Sequence, residues 1–243
     1  MLRMISADSI TEAAYRRIRG DLLSCRLAPG EKLRINKLQE ELQISLGAVR
    51  EALARLTSEG LVVAEPQKGF RAAPVSVSDL ADLTDARVEI ESLCLRRSLA
   101  HGDVEWETRL VAANHRLSRI PLRNSRDVNR YNEEWNAAHD EFHGSLVAAC
   151  DNHTLLLVRE QLFTKSARYR WFSVSMTSIA RDVGQEHQSL VDAALERNAA
   201  RAELLLTGHL RETTRILTEA LKMTAGGRSA VLEARRSKER RRA

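Results

Sequence analysis

Seven histidines fall at positions 101, 115, 139, 143, 153, 187 and 209, and four of them are spaced for metal chemistry. His139 and His143 stand one helical turn apart, so both side chains leave the same face and can chelate one ion. His187 and His209 lie on the two arms of a predicted helical hairpin whose joint is near residue 198. Each is about 11 residues from that joint, so antiparallel arms bring the two level. Neutral imidazole suits Zn, Ni, Cu, Fe or Co, and Mn with waters completing an octahedron. Any one histidine can equally be a surface or satisfied core residue, and His101, His115 and His153, at or near helix ends, are read that way. Arginines form a second group. Arg87 lies in an Arg87-x-Glu89-x-Glu91 run, and Arg168 and Arg170 flank Tyr169. A guanidinium fork aimed into a helical cavity suits a carboxylate ligand. The plainer alternative pairs Arg87 with Glu91 and leaves Arg168 and Arg170 in solvent. Trp135, one turn before His139, reads as pocket wall or core.

These residues sit in a long helical region. From Ser78 to Met223 the only proline is Pro121, and apolar residues recur at helical spacing. Six helices are predicted, over 78–100, 103–119, 127–149, 153–173, 181–197 and 199–224. No strand pattern interrupts them. This is an all-α bundle large enough to hold a cavity.

The first 75 residues have a different rhythm. Ser9-x-x-Glu12 is a capping-box pattern, and Ile10, Ala14, Ile18 and Leu22 follow on one helical face. Pro29-Gly30 breaks the chain. A short helix follows Asn36, carrying Leu38 and Leu42. Ser45 can cap a third helix with Val49, Leu53 and Leu56, closed by Gly60. Leu61–Ala64, a Pro66-Gln67-Lys68-Gly69 turn and Phe70–Ala73 read as a β-hairpin. Three helices and a hairpin in this order make a winged helix-turn-helix. Arg50 and Arg55 on the third helix suit the major groove, and Lys68, Gly69 and Arg71 suit a wing near the minor groove. The fold class is therefore mainly α: a winged helix-turn-helix over 1–75, then a six-helix effector-binding bundle over 76–225.

Composition narrows the function classes. Of 243 residues, 43% are hydrophobic and 4% aromatic, with 38 Lys+Arg against 33 Asp+Glu. Residues 235–242 hold six basic residues and one acidic, so 226–243 reads as a basic, mobile tail. The first 75 residues hold 12 basic and 9 acidic residues, a modest pointer to a polyanion. No apolar run reaches the ~18 residues of a membrane span, and no secretory segment follows Met1, so the chain reads as cytoplasmic. Cys25, Cys94 and Cys150 are too far apart for a disulfide framework or thiolate zinc site. An enzyme reading fares poorly. There is no nucleophile motif and no Gly-rich phosphate loop, and Asp140 and Glu141 point to helix faces other than that of His139. A regulator whose metal is only structural, or which senses the metal itself, is the stronger rival, because four histidines can close a metal's coordination.

The residues "RLAPGEKLRINKLQEEL", "VREALARLTSEGLV" and "PQKGFRAAPVSVSDL" resemble the GntR-type winged-helix domain of bacterial regulators. The remainder, through "DARVEIESLCLRRSLA", "HDEFHGSLVAAC" and "EHQSLVDAALERNAARAELLLTGHL", resembles the FadR-like (FCD) effector domain. Six bundle helices are similar to the VanR branch, and the Ser45–Arg50 run to its glutarate-responsive repressor group. The resemblance implies a homodimeric repressor whose paired winged helices bind a palindromic DNA operator and are released by a small carboxylate, such as a dicarboxylate or hydroxy acid. Arg34, Arg50 and Gly69 match the family's DNA contacts, and Ser45, Leu46, Gly47 and Lys68 complete the expected set. Many relatives read Arg-Thr-Pro where this chain has Leu46-Gly47-Ala48, so its operator should differ. The family's metal is held by an acidic or amide residue and three histidines. His143, His187 and His209 match the three, and His139 takes the first place. A neutral ligand in that place favours Zn, with Ni or Mn also compatible. Arg87, with Arg168 and Arg170, is the expected clamp on the effector.

Overall fold

The computed structural model describes residues 7–125, 132–173 and 181–240, with side chains for 10–125, 132–171 and 181–223. The chain divides into two compact units.

The first unit comprises the residues through Val75 and, from far along the chain, Phe163–Phe172. Its elements are α1 (Ala7–Leu23), β1 (Lys32–Leu33), α2 (Ile35–Leu42), α3 (Leu46–Ser58), β2 (Val62–Glu65) and β3 (Gly69–Ala72). Ala14, Ile18 and Leu22 form the buried stripe of α1 and meet Val49, Leu53 and Leu56 of α3. Burying a side chain of the Leu, Ile or Val kind stabilises by about 1.5–3 kcal/mol, so this two-helix seam anchors the unit. The turn between α2 and α3 is three residues long. Gln43 takes a left-handed conformation (φ 54°), and the Ser45 hydroxyl accepts from the Ala48 N–H at 3.2 Å to start α3. The hairpin β2–β3 is joined by β1 in the order β1-β3-β2, all antiparallel, with Lys32 opposite Arg71 and Val63 also opposite Arg71. α1 begins at Ala7, two residues before the expected Ser9 cap. From Phe163–Phe172, Thr164 Oγ1 accepts from Arg19 (3.2 Å), and Arg168 donates to the Ala73 carbonyl (3.0 Å).

The second unit contains α4 (Val77–His101), α5 (Val104–Ser118), α6 (Glu133–Leu146), the first half of α7 (His153–Ser173), α8 (Val183–Leu195) and α9 (Ala199–Arg240). Oxygen caps open these helices. Ser76, Asp103, Asn132 and Asp182 accept from the backbone N–H of Asp79, Trp106, Glu134 and Gln185, each satisfying a donor that has no partner within its helix. α4 and α8 pack on α9, and α5 packs on α6 and α8. Leu95, Trp106, Leu110, Phe142, Leu146, Leu190 and Leu206 make the centre of the core. The α8–α9 joint falls where expected, with Arg197 left-handed (φ 55°) and Asn198 accepting from the Arg201 N–H at 3.1 Å.

In the second unit two bounds differ most from expectation. α6 starts at Glu133, and residues 127–131 of the expected 127–149 helix lie outside the described residues. α9 runs on to Arg240 where a loose tail from 226 is expected; beyond Gly226-Gly227 the segment is rich in Ala, Leu, Glu, Lys and Arg, all good helix formers. Among the described residues no helix is long and apolar enough to cross a membrane, and the three cysteines are free.

Candidate metal centre and nucleic-acid interface

α6 carries His139 and His143, α8 carries His187 and α9 carries His209, and all four are buried. Each offers one ring nitrogen to a group whose members all lie within 4.8 Å of one another. The Nε2 atoms of His139 and His143 are 3.1 Å apart. Ring centroids are separated by 5.4 Å for His139–His187, 5.2 Å for His143–His209 and 5.0 Å for His187–His209. Two imidazole nitrogens on one Zn-sized ion, each at about 2.0–2.1 Å, can be no more than about 4.2 Å apart, so engaging all four needs an adjustment of roughly half an ångström.

The environment selects neutral imidazole. Burial pushes His143 well below the ordinary histidine range, and His139, His209 and His187 add repulsion. Burial does the same to His187, and His209 reinforces it. Burial lowers His209 too, against the pull of the Glu186 carboxylate. Uncharged imidazoles keep the lone pairs a metal needs. The His187 Nε2 atom is buried without a hydrogen-bond partner among the described residues. A buried polar nitrogen left so is costly, and a cation held within the cluster relieves that cost for His187. The donor set therefore fits a borderline transition metal. No carboxylate joins the group among the described residues. Glu141 turns away to Arg116 (3.0 Å).

Aromatic walls fix the rings. Trp135 stacks on His139 (4.7 Å, 25° between planes), and Phe142 lies 4.6 Å from His187. Trp135 and His187 also line a cavity of about 270 Å³ with Asn114, Ser118, Arg181 and the apolar Leu117 and Leu122. That volume is close to the ~300 Å³ lower end for ligand pockets, which suits a small molecule.

The expected effector arginines separate. Arg87 is buried on α4 with its Nε 2.7 Å from Glu91 Oε1, the helical pairing foreseen as its plainer alternative. Burial alone would raise the Glu91 carboxyl, but Arg87 and Arg159 overcome it and hold the group below its usual range. Arg87 is also near enough to His209 to disfavour its protonation. Arg168 and Arg170 belong to the first unit, whereas the histidines belong to the second, and both arginines are buried there rather than solvated. Arg168 holds the Ala73 carbonyl, and Arg170 donates to Ser166 Oγ (3.0 Å) over the Phe163 ring. Two residues absent from the expected set stand at the site instead. Glu186 accepts at 2.8 Å from the Nδ1 of His209, and Arg181 grips Glu186 through Nε (2.6 Å) and Nη2 (2.5 Å). Partial burial works to raise Glu186, yet hydrogen bonds from His209 and Arg181 outweigh it and hold the carboxyl at about 2. The one signal in the chain is the adjacency of Glu186 to His187. Adjacent residues leave a helix on different faces, so the link to His209 on another helix is invisible there.

In the first unit, Arg34, Ser45, Leu46, Gly47, Arg50, Lys68 and Gly69 are all exposed. Arg34 stands at the N-cap of α2, Leu46 and Gly47 form the first turn of α3, and Arg50 lies one turn on. Among the described residues Arg34, Arg50 and Lys68 make no ion pair. Gly69 has φ +90°, a backbone setting that side chains other than glycine rarely adopt, and a Cβ there would meet nothing within 4 Å; the wing needs this glycine for its turn rather than for room. Arg55 and Arg71, which by type alone suit DNA, have internal work. Arg55 pairs with Glu12 (2.9 Å) over the Tyr15 ring (3.9 Å), and Arg71 ties Glu65 (3.2 Å) to the Gly30 carbonyl (2.6 Å).

A winged helix-turn-helix followed by an all-helical unit with a buried histidine cluster and a small cavity defines a two-domain transcription regulator. Residues 10–71 match the bacterial regulatory proteins of the gntR family, and residues 82–212 match the FCD domain. The chain belongs to the GntR family of DNA-binding transcriptional regulators, in the group with an FCD domain, and not to a family of enzymes. It is 36% identical over 211 residues to the HTH-type transcriptional regulator BphR of Paraburkholderia xenovorans, covering 87% of this chain and 86% of that one. It is likewise 36% identical over 211 residues to the HTH-type transcriptional repressor GlaR of Escherichia coli, covering 85% and 95%. The fold is shared with E. coli McbR/YncC, with a TM-score of 0.71 at 18% identity over 87% of this chain and 98% of that one.

Proposed function

We propose that the protein is a homodimeric repressor that binds a palindromic operator, holds a divalent metal, foremost Zn, at His139, His143, His187 and His209, and is released by a small carboxylate. The observation that carries this reading is the cluster of four buried histidines beside a small cavity, in a chain that also has an exposed α3 face on which Arg50 makes no ion pair among the described residues. Arg50 meets a base edge or phosphate in the major groove, Arg34 and the Ser45–Gly47 turn meet the backbone, and Lys68 and Gly69 approach the minor groove. The metal supplies a Lewis-acidic centre for a carboxylate. Arg87, whose charge acts on His209, answers the ligand's charge in this reading. A repressor among the 36%-identical relatives supports repression over activation. Effector binding changes DNA affinity only by preferring one arrangement of the protein over another.

A second reading rests on the same four nitrogens. Four histidines can fill a tetrahedral shell and leave a purely structural or sensed metal. A mobility shift on DNA from upstream of the protein's own gene, against a scrambled fragment across a salt series, tests the first step. Retention on the cognate fragment at salt that strips the scrambled one is the expected result. Equal, salt-labile binding to both would remove that fragment as the operator. Dicarboxylates and hydroxy acids are then added to the metal-loaded complex. Release, with a raised melting temperature, supports the carboxylate reading; neither change supports the structural or sensed metal.

A further inference from the structure

The Glu186–Arg181 pair has no part in DNA contact and offers no atom to the metal, yet it is built tightly against one ligand. Arg181 is nearly buried and spends its donors locally. Nε and Nη2 go to Glu186, Nη1 goes to Thr213 Oγ1 (2.9 Å), and Nη2 also reaches the His209 carbonyl (3.0 Å). Nη2 has two hydrogens, and these two acceptors use both. Its 3.3 Å approach to His209 Nδ1 is therefore not a hydrogen bond, and the 2.8 Å contact from Nδ1 to the Glu186 carboxylate is. A carboxylate only accepts, so the proton sits on Nδ1. The lone pair of His209 is then on Nε2.

We propose that Glu186 sets the tautomer and ring orientation of His209, and that Arg181 is the positioning residue that holds Glu186 to this task. Without Glu186, His209 is free to place its proton on Nε2 and to turn its lone pair away. Thr213 is one turn after His209, and its hydroxyl donates to the His209 carbonyl (2.8 Å), so Arg181 braces α9 at the ring's own backbone as well as at its side chain. Carboxylate partners of metal-binding histidines commonly contribute 10–100-fold to metal affinity. The inference rests on the metal reading above and adds to it two residues outside the ligand set.

The test titrates Co²⁺ and Zn²⁺ into the full-length, metal-stripped protein. It follows the visible d–d bands of Co²⁺ and chelator competition for Zn²⁺. E186A is expected to weaken both ions 10–100-fold and to change the Co²⁺ spectrum, and E186Q, which keeps a neutral acceptor, to recover part of the affinity. In an H209A background E186A should cost nothing further, because Glu186 acts through His209. A general packing role would instead give the same loss in both backgrounds. If E186A leaves Arg181 so poorly paired that the chain does not fold, the E186A/R181M double variant removes both partners and carries the same measurement. Wild-type affinity and spectrum in the Glu186 variants would overturn this inference alone, as would full additivity with H209A. A wild-type chain that binds neither ion would overturn the metal reading and this inference with it.

Discussion

Arg50 and Gly47 stand three residues apart on the exposed side of α3, and they make opposite tests of one surface. Arg50 is an exposed guanidinium that makes no ion pair among the described residues, so its removal costs the fold little. If it meets a base edge, Arg50→Ala should weaken operator binding by about 1–3 kcal/mol with an unchanged melting temperature. An unaltered operator affinity would take Arg50 off the interface. Gly47 lies in the first turn of α3, and a Cβ there would touch only Ser45 Oγ, at 3.8 Å. Nothing in the folded protein resists Gly47→Ala, and alanine restricts the unfolded chain, so stability should rise by about 0.4–1 kcal/mol. The new methyl group projects from the face proposed to meet DNA, so operator affinity should fall several-fold as stability rises. A variant that gains stability and keeps its affinity would show that DNA does not approach this turn closely.

At the scale of elements, the joint between α4 and α5 is held by a glycine for want of space. A Cβ on Gly102 would lie 2.3 Å from Trp106 Cε3 and 2.8 Å from the Ser98 carbonyl. Trp106 is fully buried with its Nε1 donating to the Ser145 carbonyl (2.8 Å), so it cannot swing aside. Gly102→Ala should therefore destabilise by about 1–3 kcal/mol, the usual cost of overpacking; a chemical-denaturation midpoint equal to wild type would mean that Trp106 has room to move. Which elements could be read from the chain follows from similar local physics. Ser45 caps α3, the Pro66–Gly69 turn makes the wing, and the helical stripes of α1 and α3 become the seam of the first unit, because each is dictated by residues a few positions apart. β1 was not legible: a two-residue strand has no alternation to read, and it exists only because Arg71 and Phe70 lie opposite Lys32 and Leu33. The four histidines were legible because two share a helix face and two share a hairpin height. The destinations of Arg168 and Arg170 were not. α7 has no dominant apolar face, and its two halves belong to different units. Glu186 and Arg181 escaped for a related reason: their partner His209 is 23 and 28 residues away on another helix.

For the whole molecule, the histidine cluster ties stability to pH in a direction that can be worked out. In the metal-free fold, His143, His187 and His209 have pKa values below the ordinary 6.5, lowered first of all by burial. About a unit above pH 6.5 and higher, the three are neutral whether the chain is folded or not, and their contribution does not vary. As pH falls below 6.5 the unfolded chain takes up protons that the folded chain refuses, so stability is lost at up to about 1.4 kcal/mol per pH unit for each histidine. Three together approach about 4 kcal/mol per unit, a large share of the 5–15 kcal/mol by which domains are ordinarily stable. Glu186 does not blur this window. Its folded-state pKa is lowered, so its contribution stays whole above the usual 4.5 and declines only as pH drops from there toward about 2. Melting temperature recorded at pH 7.5, 6.5 and 5.5 with a chelator present should fall slightly between the first two and sharply at the third. A bound metal raises the curve at pH 7.5 by mass action and makes the acid loss steeper, because protons then compete directly with the ion for the same nitrogens. A chelated protein whose melting temperature is flat from 7.5 to 5.5 would mean that His143, His187 and His209 are reached by water and protonate in the folded state, which is incompatible with a dry, neutral site waiting for a cation.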